Sequence, residues 1–247
     1  MSSHFLKRLG ALCGVVGSLL AAPQLSHAGG LFVSPVRVAL SSAEPIAAIF
    51  VENNGSQPAI VQLRPTRWSQ IDGTDRYETS DELLATPPIF TVPPGGRQVV
   101  RLGLRRAGDA RREGTFRLYL EEVPSAASQQ AGGAQVALRL GVPVFVQPAV
   151  TGPQALRWAL VRAPDGSIAI ACSNVGATHA RVASIAISAL VSASSPLVQQ
   201  TIAADVHADG RSEWRIRDGA AGLGSGSWVR LRAVTERGIE TADVLVP

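Results

Sequence analysis

The feature that most constrains this chain is the regular recurrence of short apolar stretches, rich in Val, Ile and Leu, separated by Gly, Pro, Asn and Asp. Stretches of strand length bounded by turn formers read as β-strands, since a helix needs a longer run of 3.6-residue periodicity with caps at its ends. The first group covers residues 31–40, 46–53, 59–68, 97–104, 116–123 and 134–146, with a short strand near 89–92. Seven such segments in about 120 residues are what an immunoglobulin-like sandwich needs. A second group covers 156–163, 167–174, 181–188, 212–216, 227–235 and 239–246. Between the groups lies Gln147-Pro148-Ala149, where proline ends ladder hydrogen bonding and stiffens the connection. The predicted fold class is therefore all-β, with two immunoglobulin-like β-sandwich domains at 29–148 and 149–247.

Residues 1–28 read as a Sec-type signal peptide. Lys7 and Arg8 precede an uncharged apolar run, and the small residues Ser26 and Ala28 fit a cut before Gly29. That run is too short to span a bilayer, and no later segment offers an apolar stretch of spanning length, so the exported chain is not expected to be membrane-embedded. Only Cys172 follows the predicted cut, which excludes an intrachain disulfide and leaves stability to packed cores. Removing Lys7 and Arg8 lowers the formal charge from +4 to +2. The remaining basic residues, all arginine, are scattered along strands with few interleaved aromatics, so nucleic acid is not an expected partner.

Side chains for catalysis are scarce. Beyond the signal peptide only His179 and His207 remain, and neither stands at metal-ligand spacing from a second His or Cys. Cys172, inside an Ile-Ala-Ile-Ala-Cys run, reads as a packed core thiol. Glu121 and Glu122 are adjacent on a strand and so face opposite sides. The glycine-rich stretch 222–226 lacks the Lys-Ser/Thr of a phosphate loop and the spacing of a nucleophile elbow. No enzyme activity, cofactor or metal is expected.

Four local patterns occur in order in the first group: Ser34-Pro35-Val36-Arg37-Val38; Thr86-Pro87-Pro88 with Pro93-Pro94-Gly95; Val100-Arg101-Leu102; and Tyr119-Leu120-Glu121-Glu122-Val123-Pro124. A long strand closing on Phe145 to Pro148 follows, and Cys172-Ser173-Asn174-Val175-Gly176 supplies an Asn-containing strand end in the second group. Together these resemble the PapD-like periplasmic chaperones of chaperone–usher pilus systems, and the segment 140–146 looks like their archaic branch. The resemblance implies a boomerang of two immunoglobulin-like domains located in the periplasm. Such a chaperone stabilises pilin or fimbrial subunits by donor-strand complementation and delivers them to an outer-membrane usher.

In the strand 134–146, period-two alternation places Ala134, Val136, Leu138, Leu140 and Val142 on one side. Pattern alone reads this stripe as packing within its own sandwich. The resemblance, with the Ser/Ala/Gln/Gly-rich lead-in at 125–133, makes it the donor strand. By the same resemblance Arg37 matches the cleft arginine that anchors a subunit's C-terminal carboxylate, a task suited to a planar fork that stays charged. The family's assisting lysine falls on Pro143, and no lysine follows Lys7. Arg101 and Arg139 are therefore the expected helpers. The competing class is a secreted immunoglobulin-like structural subunit or adhesin of a surface fibre, although Gly29-Gly30 leads almost at once into Leu31-Phe32-Val33 and shows no donor extension.

Overall fold

The computed structural model describes residues 30–124 and 137–247, apart from 107, 110, 151, 153, 154 and 191–195. The predicted signal peptide, the lead-in loop and two predicted donor residues, Ala134 and Val136, lie outside the described residues. Strands dominate, and the only helical element described is a single 3-10 turn, Ala220–Gly222.

Ten strands build the first sandwich: β1 (Leu31–Ser34), β2 (Val38–Leu40), β3 (Ile46–Asn53), β4 (Ala59–Ile71), β5 (Thr74–Thr79), β6 (Leu83–Thr86), β7 (Ile89–Val92), β8 (Arg97–Leu104), β9 (Gly114–Val123) and β10 (Arg139–Val146). One sheet runs β1-β3-β8-β6; the other runs β2-β10-β9-β4-β5, with β7 also on β4. Facing residues close a core that includes Ile49, Val61, Val100, Leu118 and Val144. The second sandwich contains β11 (Leu156–Arg162), β12 (Ile168–Asn174), β13 (Ala180–Ala189), β14 (Val198–Val206), β15 (Arg211–Arg215), β16 (Trp228–Thr235) and β17 (Gly238–Leu245). Its sheets are β11-β12-β15 and β14-β13-β16-β17, closed over Ile170, Cys172, Ile185 and Leu231. Cys172 is fully buried there, and desolvation pushes its thiol up to about 12, so it is a core residue.

Three elements differ from expectation. The opening strand 31–40 is two strands in different sheets: β1 pairs antiparallel with β3, while β2 pairs parallel with β10. Pro35 explains the break, since it has no N–H for a ladder. The strand expected at 59–68 runs on to Ile71 and turns back as β5, all six of whose residues are exposed and polar or aromatic. Asp72 and Gly73 both take positive φ, 50° and 77°, in a two-residue loop that joins Ile71 to Thr74. That is the type I′ hairpin which an Asp-Gly pair favours. Strand β14 was also unexpected, its apolar signal diluted by Gln199, Gln200 and Thr201.

Each sandwich repeats one corner. Asn53 donates to the carbonyls of Gln57 and Val92 and accepts from Gly55 N–H; Asn174 donates to those of Thr178 and Val206 and accepts from Gly176 N–H. Both side chains are buried, and each satisfies both of its N–H donors and its carbonyl oxygen, as a buried polar group must.

Candidate functional site: an open strand edge beside the interdomain joint

Strand β10 pairs antiparallel with β9 along its whole length, Arg139 opposite Glu121 through to Val146 opposite Gly114. On its other edge β2 covers only Val144, Phe145 and Val146. From Arg139 to Pro143 that edge is unpaired among the described residues. Proline is tolerated inside β10 because it sits on this open stretch.

Alternation divides β10 between two faces. Leu140, Val142 and Val144 point into the first core; Val142 is 2% exposed and Val144 fully buried, whereas Leu138 and Leu140 are half-buried. Of the expected donor stripe, then, Val142 is already sealed inside its own sandwich, and Leu138 and Leu140 retain apolar surface beside the open edge. The other face of this sheet carries Arg139, Gly141, Pro143 and Phe145 on β10, Glu121, Tyr119, Arg117 and Thr115 on β9, and Arg64, Thr66 and Trp68 on β4.

Where this outer face meets the second sandwich, it is buried. Trp68 and Phe145 are 3% and 2% exposed although neither faces its own core. Phe145 stacks on His179 with ring centroids 3.7 Å apart, and Trp68 meets His207 edge-on at 4.1 Å. Burying such side chains contributes roughly 1.5–3 kcal/mol each to holding the sandwiches together. Polar contacts fix the register. Gln70, near the tip of the β4–β5 hairpin, donates to the Asp205 carbonyl at 2.8 Å and accepts from His207 N–H at 2.9 Å, so its amide grips the β14 backbone as a peptide group would. Arg112 pairs with Asp209, and Glu113 N–H donates to the Ala177 carbonyl.

Arg37 belongs to this joint. Its guanidinium donates to Asp205 Oδ1 at 2.7 Å and to His179 Nε2 at 2.8 Å, with its Cζ 4.9 Å from the Phe145 ring centroid. Since Arg37 can only donate, His179 Nε2 accepts, and the Nδ1 proton points to Glu113 Oε1 at 2.6 Å. Asp205, whose side chain is 6% exposed, also takes Arg181 at 3.2 Å. The adjacent His207 is pushed down to about 4, chiefly by burial.

The expected arginine cluster does not form. Arg139 lies five residues up β10 from Val144, roughly 17 Å away at strand rise. It pairs with Glu121 at 3.0 Å and covers Tyr119. Arg101 is in the opposite sheet, exposed on its outer face between Ala48 and Thr86. Arg37 is present at the cleft but is committed to Asp205 and His179. The cation that does sit beside Pro143 is its cross-strand partner Arg117, which sequence reading missed. Its signal was available: in the ladder between the strands around 116–123 and 134–146, the residue opposite the lysine position shares its face.

Two recesses border the joint. One of about 710 Å³ is lined by Arg67, Arg105 and Arg112, each already paired, with Glu82, Asp81 and Asp209. The other, of about 420 Å³, opens beside β10 between Arg117, Pro143, Trp68, Arg181 and Trp214.

Comparison with known proteins adds to this geometry. Residues 30–151 match the family described as pili and flagellar-assembly chaperone, PapD N-terminal domain. Chaperone protein FimB/FhaD of Bordetella pertussis is 27% identical over 157 residues, covering 59% of this chain and 62% of that protein. The uncharacterized fimbrial chaperone YcbF of Escherichia coli is 29% identical over 163 residues, covering 61% and 66%. The chain thus spans a little under two thirds of the length of these curated relatives. Among solved structures, a chain of the CsuC–CsuE chaperone–tip adhesion subunit pre-assembly complex from archaic chaperone–usher Csu pili of Acinetobacter baumannii superposes with TM-score 0.66. It is 18% identical, with 87% of this chain and 98% of that one covered. The YadV chaperone superposes with TM-score 0.60 at 18% identity, covering 86% and 98%. The first sandwich thus belongs to the PapD N-terminal domain family of pili and flagellar-assembly chaperones, and the two halves together share the fold of these solved chaperones.

Proposed function

We propose that this protein is a periplasmic chaperone that holds a pilus subunit by lending it the open edge of β10, and that it then delivers the subunit to an outer-membrane usher. The observation that carries this reading is the unpaired stretch of β10 from Arg139 to Pro143, which contains the half-buried Leu140, follows the half-buried Leu138 and ends at the interdomain cleft. An edge with unpaired N–H and C=O groups is a template for another strand. Strand addition of this kind takes affinity from main-chain hydrogen bonds and specificity from alternate side chains. The comparisons point the same way, since one relative is described as a chaperone protein and another as a fimbrial chaperone, and solved neighbours include chaperone–subunit complexes. The domain division near Pro148 and the archaic assignment belong to the same reading, the latter supported by the 140–146 segment and by the likeness to the chaperone of the archaic Csu pili.

Co-expression with a pilin tests the proposal. The wild-type chain is expected to yield a one-to-one complex. Leu138→Asp, which puts a charge against an apolar groove while leaving the fully buried core residues untouched, should lower complex yield at least tenfold. Undiminished yield with that variant contradicts strand lending through this edge.

A further inference from the structure

We propose that the joint between the sandwiches is operated by protons: acid releases one sandwich from the other while each keeps its core, and His207 is the group that takes up the proton. Among the described residues the only histidines are His179 and His207, and both lie in this joint, carried by the second sandwich and packed on Phe145 and Trp68 of the first. No lysine follows Lys7, and histidine is the side chain whose ordinary charge change falls between pH 5 and 8. The charge that changes near neutrality is thus concentrated at one interface.

His207 owes its burial to the joint. Its neighbour Val206 points into the second core, so the imidazole points the other way, onto the first sandwich. There it is edge-on to Trp68 and 3.4 Å from Thr115 Oγ1. Thr115 donates its one proton to the Trp68 carbonyl, so Nδ1 carries the proton of the neutral ring, and Nε2 is left a buried acceptor without a partner among the described residues. A second proton turns Nε2 into a buried, charged donor with nothing to donate to, which a group out of water strongly resists. Of the charges around the ring, Asp75 and Asp205 favour that proton while His179 and Arg117 oppose it, and desolvation is the largest effect. The carboxylates in the recess that His207 lines are engaged: Asp209 by Arg112, Glu113 by His179, Asp81 and Glu82 by arginines, and Asp109 by the Arg111 N–H. Protonation of His179 acts in the same sense at one contact, since Nε2 then no longer accepts from Arg37 and turns to Glu236 Oε1, 3.8 Å away on its own sandwich, while Glu113 keeps Nδ1. Separating the sandwiches returns His207 to water and removes the penalty, so protons favour the separated form. The pairing of β10 with β9 and β2 lies within the first sandwich, so the release widens the cleft and leaves the open edge intact.

Two backbone amides report the joint directly: His207 N–H donates to Gln70 Oε1 and Glu113 N–H to the Ala177 carbonyl, both across it. Their hydrogen-exchange protection, corrected for intrinsic rates, is measured on the whole protein between about pH 7.5 and 5. The docked ring, at about 4, lies below its ordinary 6.5, so docking is fully favoured above pH 6.5 and weakens as pH falls toward 4. Linkage converts that difference into a loss of protection of roughly 30-fold at both amides over this range. Core amides of β8 and β13 should keep theirs, and the His207 ring, followed by NMR, should titrate in step with the loss. His207→Phe, which fills the same place without titrating, should retain joint protection at the acid end. Joint amides that stay protected in acid overturn the proposal, as does a loss shared equally by the two cores or one undiminished in His207→Phe. Where that variant does not fold, the wild-type ring decides: titration out of step with the joint amides overturns the assignment to His207.

Discussion

His207 shows how a single residue ties the joint to solution conditions. It is 3% exposed, edge-on to Trp68, with Nε2 unpartnered and Nδ1 3.4 Å from Thr115 Oγ1. Burial holds it neutral, with a folded value of about 4 against 6.5 unfolded. Because the folded value is the lower, the unfolded chain binds the proton first, and stability present above pH 6.5 is lost as pH falls toward 4. That loss amounts to about 3 kcal/mol by linkage. Denaturant unfolding at a series of pH values should show it, and His207→Phe should flatten the slope across that window. An unchanged slope would mean that other groups carry the acid sensitivity. His179 illustrates the limit of reading residues singly: none of its sequence neighbours suggests a partner, whereas the fold sets it between Arg37, Glu113 and Phe145.

At the scale of elements, the β4–β5 hairpin matters more than its polar sequence suggests. It extends the cleft sheet past its own sandwich and carries Trp68, Gln70 and Tyr77 to the joint. The turn depends on Gly73, at φ 77°, where a Cβ would also meet Glu213 Cγ at 3.3 Å. A β-branched residue is a genuine outlier in that region. Gly73→Val should therefore lower the unfolding free energy by about 1–2 kcal/mol, in the range of left-handed backbone strain. Faster amide exchange in β5 should accompany that change. Thermal and exchange measurements identical to wild type would show that the tip does not constrain the hairpin. The opening segment makes the complementary point: Pro35 divides it, and only the second piece, β2, limits how far the edge of β10 stays open.

For the whole molecule, the consequence is a division of labour among arginines. Arg37 links the first sandwich to Asp205 and His179 of the second, and Arg117 stands at the cleft with no salt bridge among the described residues. Removing Arg37 leaves Asp205 buried with Arg181 alone, which should cost about 1–3 kcal/mol of coupling between the sandwiches. Calorimetry of Arg37→Ala should show a lower and broader transition, resolving toward two, while each sandwich keeps its own core. A single sharp transition at the wild-type temperature would remove Arg37 from the joint's energetics.

Much of this was legible in the sequence, because period and punctuation are local properties. Alternating apolar residues between turn formers set the strands, and Leu138 and Leu140 stood on one face by period two alone. The Asp72-Gly73 hairpin was equally local and was passed over because β5 is polar. What alternation cannot reveal is which side of a sheet another domain will cover. Trp68 and Phe145 have outward phases yet are buried, and Val142 has the donor phase yet is sealed. Partnership is likewise non-local: Arg37 meets Asp205 across 168 positions, and Arg117 acquires its place only when β9 lies against Pro143. Sequence spacing carries no record of such contacts, so the tertiary structure alone decided which arginine is committed and which remains open.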